Sequence, residues 1–343
     1  MTVSTSRWLL APLDAGRIFS GAKTFANPVL GSETLNRRGL HVWRTRLAHR
    51  LAEKRRARLA HLVSENDRAD FARDGYVAKE NFLPEEAFRA LVAEVLATAA
   101  PARENREGNA VTRHIAVDDA YLKRAPALRA LVDHPDWRGL TRYVGSFDEE
   151  PVISIQTIFG AASDAVQDPQ TSLHMDTFHP TMKAWFFLHD IGDDEGPFTY
   201  VRGSHRLSPR RLAWQKRKSV VASQAKSPAG AFRLRADELS RLHWPQPTRF
   251  AVSGNTLIVG DTCGFHARAA SAKPTMRIEI YAYSRLNPFK PDLGVGLDRV
   301  PYLGRSREAV RWWIQDRLSP LGLMSSNWRN AGVIRPDEPV RDA

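Results

Sequence analysis

Cysteine is nearly absent, with Cys263 alone in 343 residues. A single thiol excludes an intramolecular disulfide framework and any Cys-only zinc site, and it speaks against thiolate-held iron–sulfur. Lysine is scarce as well, supplying ten of the fifty basic residues, so arginine carries most of the positive charge. No stretch approaches the roughly 20 apolar residues that cross a bilayer; Ala184 to Leu188 is among the most apolar runs. The patch Trp8-Leu9-Leu10 is too short for a signal-peptide core. Internal repeats and low-complexity tracts are missing too. These absences lead us to expect a soluble, cytoplasmic protein, with peripheral membrane contact as a variant. Hydrophobic content of 43% and charged content of 26% are those of an ordinary globular chain. A chain this long buries roughly three quarters of its unfolded surface without covalent staples.

Fifty basic against thirty-eight acidic residues give a formal net charge of +12, unevenly placed. Nine basic residues crowd positions 37–58, where Glu53 is the only acid. Leu40, Trp43, Leu47 and Leu51 recur there at helical spacing, which predicts a basic amphipathic helix. Such a helix docks on an anionic surface or partner, or packs its apolar face on the body with solvated arginines outside. A second run, Arg202 to Lys218, holds seven basic residues and no acid, and would attract an anionic substrate. Neither run carries a zinc-finger spacing or an aromatic RNA-binding signature, so nucleic acid is not the expected partner.

Residues 1–66 read as an N-terminal extension, and 67–343 as one domain with a helical tail near Arg305 to Arg317. Phe71 to Val77 reads as a helix end, a glycine turn and a strand start. Pro84 opens a helix whose apolar face is Phe88, Leu91, Val92, Val95 and Leu96. After about Val152 the signal becomes β: 152–159, 183–190, 197–201, 249–252, 256–259 and 276–283 alternate with turn residues such as Ser253-Gly254-Asn255. Short strands with turns between them predict a barrel or jelly roll, mainly β with flanking helices.

His174-Met175-Asp176 places two ligand types two residues apart, and on a strand both would face one side. His266, shortly after the strand 256–259, is the best third ligand. Two histidines and one carboxylate on one face of a metal leave positions open, as in non-haem Fe(II) oxygenases. His134-Pro135-Asp136 repeats the spacing, but its proline disfavours a paired strand and the segment reads as a turn into a helix.

These residues fall within a longer pattern. From about Phe71 to Arg285 the chain resembles the phytanoyl-CoA dioxygenase family of Fe(II)/2-oxoglutarate oxygenases. The resemblance rests on Phe71-x-x-Asp74-Gly75-Tyr76-Val77, Asn81-Phe82-Leu83-Pro84, His174-x-Asp176, Ala184-Trp185, Gly196-Pro197-Phe198, Gly203-Ser204-His205, and His266 followed by Arg277. It implies a double-stranded β-helix (cupin-like) core, iron on His174, Asp176 and His266, 2-oxoglutarate held by Arg277, and O2 as the second co-substrate. Arg202 stands where the family often has proline, and Arg268 where a small residue commonly follows the distal histidine.

On its own strand, Arg277 could reach a carboxylate through its planar fork. Equally, Arg277, Glu279, Tyr281 and Tyr283 could form a polar outer edge, with Met276, Ile278 and Ile280 inside. Gln156 and Thr157 lie on a strand able to line the pocket, Trp185 is placed to wall it, and Arg268 adjoins the distal ligand. His179 is near enough to touch substrate. His205 and Cys263 read as structural. The resemblance implies hydroxylation of an unactivated C–H of a small-molecule, acyl or lipid-type substrate, with release of succinate and CO2. Desaturation, epoxidation or cyclisation is the alternative within the family; a non-catalytic or 2-oxoglutarate-independent cupin-like metal protein is the other.

Overall fold

The computed structural model describes residues 14–160, 169–291, 304–324 and 326–340; the Trp8-Leu9-Leu10 patch lies outside them. The strands are β1 (Tyr76–Lys79), β2 (Ala100–Glu107), β3 (Ala110–Ala116), β4 (Val152–Gly160), β5 (Met182–Phe187), β6 (Phe198–Tyr200), β7 (Thr248–Arg249), β8 (Thr256–Asp261), β9 (His266–Arg268), β10 (Thr275–Ser284) and β11 (Arg329–Ile334). They form an eight-stranded sheet in the order β1-β8-β5-β10-β4-β3-β2-β11 and a three-stranded sheet in the order β7-β6-β9. Neighbouring strands are antiparallel throughout. Together they make the double-stranded β-helix (cupin-like) core expected from the sequence, with helices covering the outer face of the large sheet.

Strand period decides which side chains meet the site. On β10, Ile278, Ile280 and Ala282 join the outer core with Ile153, Ile155, Ala184, Phe186 and Val259. Helices close that core: α3 (Glu65–Asp74), α4 (Glu85–Ala97), α5 (Asp119–Arg124), α6 (Pro126–Asp133) and α7 (Pro135–Gly145) contribute Phe71, Leu91, Tyr121, Leu131 and Trp137, all buried. The odd residues Arg277, Glu279 and Tyr281 therefore turn inward between the sheets, and they are buried rather than a solvent edge. Met276 is 43% exposed, against the inward position its hydrophobicity suggested. Trp185, Phe198, Tyr200, Phe250, Ile258 and Tyr281 fill the space between the sheets.

Two segments depart from the sequence reading. β2 and β3 extend the large sheet where charge-rich text gave no strand signal; two of their arginines, Arg103 and Arg113, are buried in pairs. Arg113 meets Glu104 at 2.6 Å and also donates to backbone carbonyls of the C-terminal segment, and Arg103 pairs with Asp316. The basic helix forms as α2 (Leu40–Leu59), after the short α1 (Glu33–Arg37), but the face it buries is not centred on the Leu/Trp stripe, whose leucines are only half-buried at its border. His41, Arg44, Thr45, Ala48, Ala52, Arg55, Arg56 and Leu59 are buried, while Trp43 is 46% exposed.

Arginine can be buried here because its fork finds carbonyls and its face finds rings. Arg44 donates to the carbonyls of Ile18, Ser20 and Ala22 and lies 4.2 Å over Phe178. Burial lowers its pKa to about 10. Arg56 donates to the carbonyls of Tyr143 and Val144, lies over Phe71 and pairs with Asp261 at 2.8 Å. Two of the arginines expected to be solvated are thus bolts, Arg44 from α2 to the segment 18–22 and Arg56 from α2 to α7 and β8. The second basic run similarly forms α8 (Pro209–Gln224), where Arg211 is fully buried and donates to the carbonyls of Ser204 and Cys263.

Candidate metal centre

His174 and Asp176 lie outside the regular strands, yet the backbone there is extended and pinned on both sides. His174 exchanges both amide hydrogen bonds with His266 at 3.0 Å, Met175 N donates to Phe232 O, and Asp176 N donates to Thr262 O. Alternation then does what a strand would: Met175 points away into the cluster of Trp214, Phe232 and Phe265, and its neighbours point into the barrel. His266 opens β9, after a tight connection from β8 in which Asp261 Oδ1 accepts from Cys263 N and Thr181 N. Ser204, from the Gly-Ser-His turn, accepts from Phe265 N at 2.8 Å. Gly75 has φ +91, and a Cβ there would stand 2.4 Å from His205 Nδ1 and 2.6 Å from the Tyr200 hydroxyl, so a side chain would disrupt the turn packing behind β9.

The three side chains converge. Nε2 of His174 and Nε2 of His266 each stand 3.8 Å from Asp176 Oδ1, and one ligand atom from each residue lies within 4.8 Å of the others. Those separations leave a point at most about 2.5 Å from all three atoms, near the roughly 2.0–2.2 Å of metal–ligand bonds. Nδ1 of His174 donates to Ser172 O at 2.8 Å, and Nδ1 of His266 donates to Gly264 O at 3.0 Å. A carbonyl only accepts, so both Nε2 atoms are the lone-pair side of neutral rings. Burial lowers both imidazoles, His266 to about 3. Burial works against the Asp176 anion, but Lys183, His266, Arg285 and His174 outweigh it and hold its carboxyl well below its ordinary value. Two lone pairs and a carboxylate oxygen facing one another without a proton fit a divalent cation of the N/O-binding type.

The other oxygen of Asp176 is held by cations. Lys183 Nζ stands 2.8 Å and Arg285 Nη2 3.5 Å from Oδ2, while Lys23 Nζ donates to the Asp176 carbonyl at 2.7 Å. Burial lowers the Lys23 amine, and the Arg285 charge adds to the effect. None of these three drew attention in the sequence. Alternation with Trp185 on β5 was a usable signal for Lys183; Lys23 is 153 positions from its partner and gave none.

Two adjoining cavities open on this cluster. The smaller, about 240 Å³, is lined by Gln156, Trp185, Phe198, Arg268 and Arg277 with both histidines. Trp185 packs on Phe198 with ring centroids 4.2 Å apart. Arg277 Nη1 donates to Gly196 O at 2.8 Å, and its Nε stands 3.0 Å from Glu279, a fully buried acid. Gln156 links this acid to His114, donating to Glu279 and accepting from His114 Nε2 at 2.7 Å. Burial pushes His114 down to about 4.

Thr157 is a correction. It stands on the outer face of β4, where its hydroxyl donates to Pro336 O at 2.9 Å, because the two-residue period that turns Gln156 inward turns its neighbour out. His179 is likewise away from the cavities, buried against Phe178 with Nδ1 donating to Pro180 O. His134 caps α7 and Asp136 lies in its first turn, so that copy of the spacing is a helix start. His205 packs on Phe71, and Cys263 is buried.

Residues 71–237 match the family model for phytanoyl-CoA dioxygenase (PhyH). The match contains His174 and Asp176 and ends before His266 and Arg277, which geometry brings to them. No curated protein sequence matches the chain. Solved structures similar to it include the epimerase SnoN in complex with Fe3+, alpha ketoglutarate and nogalamycin RO, at 20% identity over 65% of this chain and 83% of that chain, TM-score 0.43. Others are EctD from S. alaskensis with bound Fe (15%, 65% and 76%, TM-score 0.41) and HygX from Streptomyces hygroscopicus with nickel and 2-oxoglutarate (12%, 64% and 86%, TM-score 0.39). The chain is thus similar to the phytanoyl-CoA dioxygenase family over residues 71–237, just under half of its length.

Proposed function

We propose that the chain is an Fe(II)/2-oxoglutarate-dependent oxygenase that hydroxylates a small-molecule C–H bond. The observation that carries this reading is the convergence of three acceptor-only ligands at the mouth of a cavity holding a buried arginine. When bound, the metal would supply O2 activation coupled to decarboxylation of 2-oxoglutarate to succinate and CO2. The chain's own residues do the rest. Ser172 and Gly264 carbonyls keep both Nδ1 atoms protonated and both Nε2 atoms available. Lys183 and Arg285 fix one oxygen of Asp176 and leave the other facing the histidines. Arg277, with Arg268 nearby, would hold the far carboxylate of 2-oxoglutarate, and Trp185 against Phe198 would exclude water from it. Gln156 would orient Glu279 rather than touch co-substrate. The exposed face of α2, with Arg46, Arg50 and Lys54 beside Trp43, is assigned to contact with an anionic surface.

One feature favours a second reading. Glu279 already pairs with Arg277 Nε, as expected if the barrel held a metal without 2-oxoglutarate. Anaerobic reconstitution with Fe(II), then exposure to O2 and 2-oxoglutarate, separates the two. Iron-dependent succinate, in slow uncoupled turnover, supports the oxygenase; a chain that binds iron and forms no succinate supports the second reading.

A further inference from the structure

The larger of the two cavities, about 400 Å³, adjoins His174 and Asp176 and is lined by Lys23, Lys183, Arg233, Arg285 and Arg311. Acids facing it are few. Glu308 is committed to Arg311, to the Trp312 indole at 3.0 Å and to the Tyr283 hydroxyl at 3.3 Å. Asp176 is the remaining acid, and its charge is shared between the metal cluster, Lys183 and Arg285. Cations thus outnumber acids by more than two to one around one chamber, before any metal charge is added.

Elsewhere in this protein a buried arginine is consumed by structure, as Arg44 is by three carbonyls. Arg285 and Arg233 differ. Arg285 is 45% exposed along its side chain, with Asp176 as its ion-pair partner among the described residues. Arg233 is exposed, donates to the Pro169 carbonyl and is held beside the metal cluster by a backbone bridge to His174. Lys23 arrives on a strap from outside the family-matched segment. Arg44 clamps that strap, Phe25 N donates to Ser227 O, and Gly230 lets the Lys23 carbonyl approach so closely that a Cβ would stand 1.8 Å from it. Three distant segments are folded together to bring charge of one sign to this place.

We infer that the larger cavity is a subsite for a multiply charged oxyanion of the substrate, read by Lys23, Arg233 and Arg285. This rests on the oxygenase reading for its place beside the reacting centre; the subsite itself rests on the charge and the strap. Arg277 serves the smaller cavity, so an anion here is additional to 2-oxoglutarate. Phosphoryl and polycarboxylate groups share the chemistry, and sulfate and tricarballylate stand in for them as probes that hold iron weakly.

The test is calorimetric titration of the Fe(II)- and 2-oxoglutarate-loaded protein under argon with each probe. Binding of either probe is expected, weakened about tenfold or more by Lys23→Met and by Arg285→Met and less by Arg233→Ala, since each charge-assisted hydrogen bond lost costs about a factor of ten. Affinity for 2-oxoglutarate should stay within about twofold in Arg233→Ala, whose side chain bonds the Pro169 carbonyl rather than a metal ligand. Arg233 is exposed, so Arg233→Ala keeps the test open if a strap variant fails to fold. Binding of neither probe, binding indifferent to the three substitutions, or displacement of the probe by added 2-oxoglutarate would overturn the inference. Probe binding to a wild-type chain that takes up no 2-oxoglutarate would sink the oxygenase reading and leave the subsite standing.

Discussion

Arg56→Met is the substitution that most sharply tests how the N-terminal helix supports the metal cluster. The Arg56–Asp261 pair is buried on both sides, at 11% and 1% side-chain exposure, with a separation of 2.8 Å. Asp261 also accepts from Thr181 N at 3.1 Å and Cys263 N at 3.0 Å, and so ties together the segments that follow Asp176 and precede His266. Breaking a buried pair by removing one partner costs about 3–5 kcal/mol, because the other charge is left without compensation. The two amide bonds remain, which places the expected loss near the lower end, about 3 kcal/mol. Urea unfolding at pH 7 measures it.

The pH dependence has a definite sign. In the wild type, burial opposes the Asp261 anion, but Arg56 and neighbouring histidines hold its pKa below the ordinary value. That contribution is present above the ordinary carboxylate range and is lost as pH falls through the lowered value. Without Arg56, burial dominates and raises the pKa. The deficit of the variant should then be largest at neutral pH and narrow as acid protonates Asp261. Adding Asp261→Asn should recover part of the loss. A deficit under about 1 kcal/mol, the size of an exposed ion pair, or one that widens in acid, would refute the reasoning.

Arg277→Ala should weaken 2-oxoglutarate binding at least about tenfold, and Arg277→Lys should restore only part, because an ammonium lacks the two-donor fork; normal affinity in a calorimetric titration would return Arg277 to a purely structural pairing with Glu279. Thr157→Val should leave that affinity unchanged and cost about 1 kcal/mol of stability through the lost bond to Pro336 O. Replacing Arg46, Arg50 and Lys54 by serine should weaken sedimentation with phosphatidylserine vesicles by about 1 kcal/mol per charge at low salt; unchanged sedimentation would leave that face as solvated charge.

The β region was legible because its strands are apolar or β-branched on the faces that meet the cores, as Ile153, Ile155, Ile278 and Ile280 are. β2 and β3 were not, since burial there falls on Arg103 and Arg113, whose partners Asp316 and Pro336 lie far along the chain. The helix at 40–59 was legible as a helix, but its inward face was not: carbonyls and rings from distant segments make Arg44, Arg55 and Arg56 buried residues, which no periodicity of leucine announces. His174 and Asp176 stood out through the family resemblance rather than through spacing, which His134 and Asp136 share at a helix start; the two side chains share a side because two-residue alternation survives in extended backbone without a regular strand. Lys23 and Asp261 could not, because their roles come from partners 153 and 205 positions away.

The central claim is that His174, Asp176 and His266 hold one iron. Anaerobic titration with Fe(II), followed calorimetrically, tests it most directly. One ion per wild-type chain is expected, with tight binding lost in His174→Ala and in His266→Ala while both variants keep the wild-type circular dichroism. Iron binding of wild-type strength in either variant would contradict it.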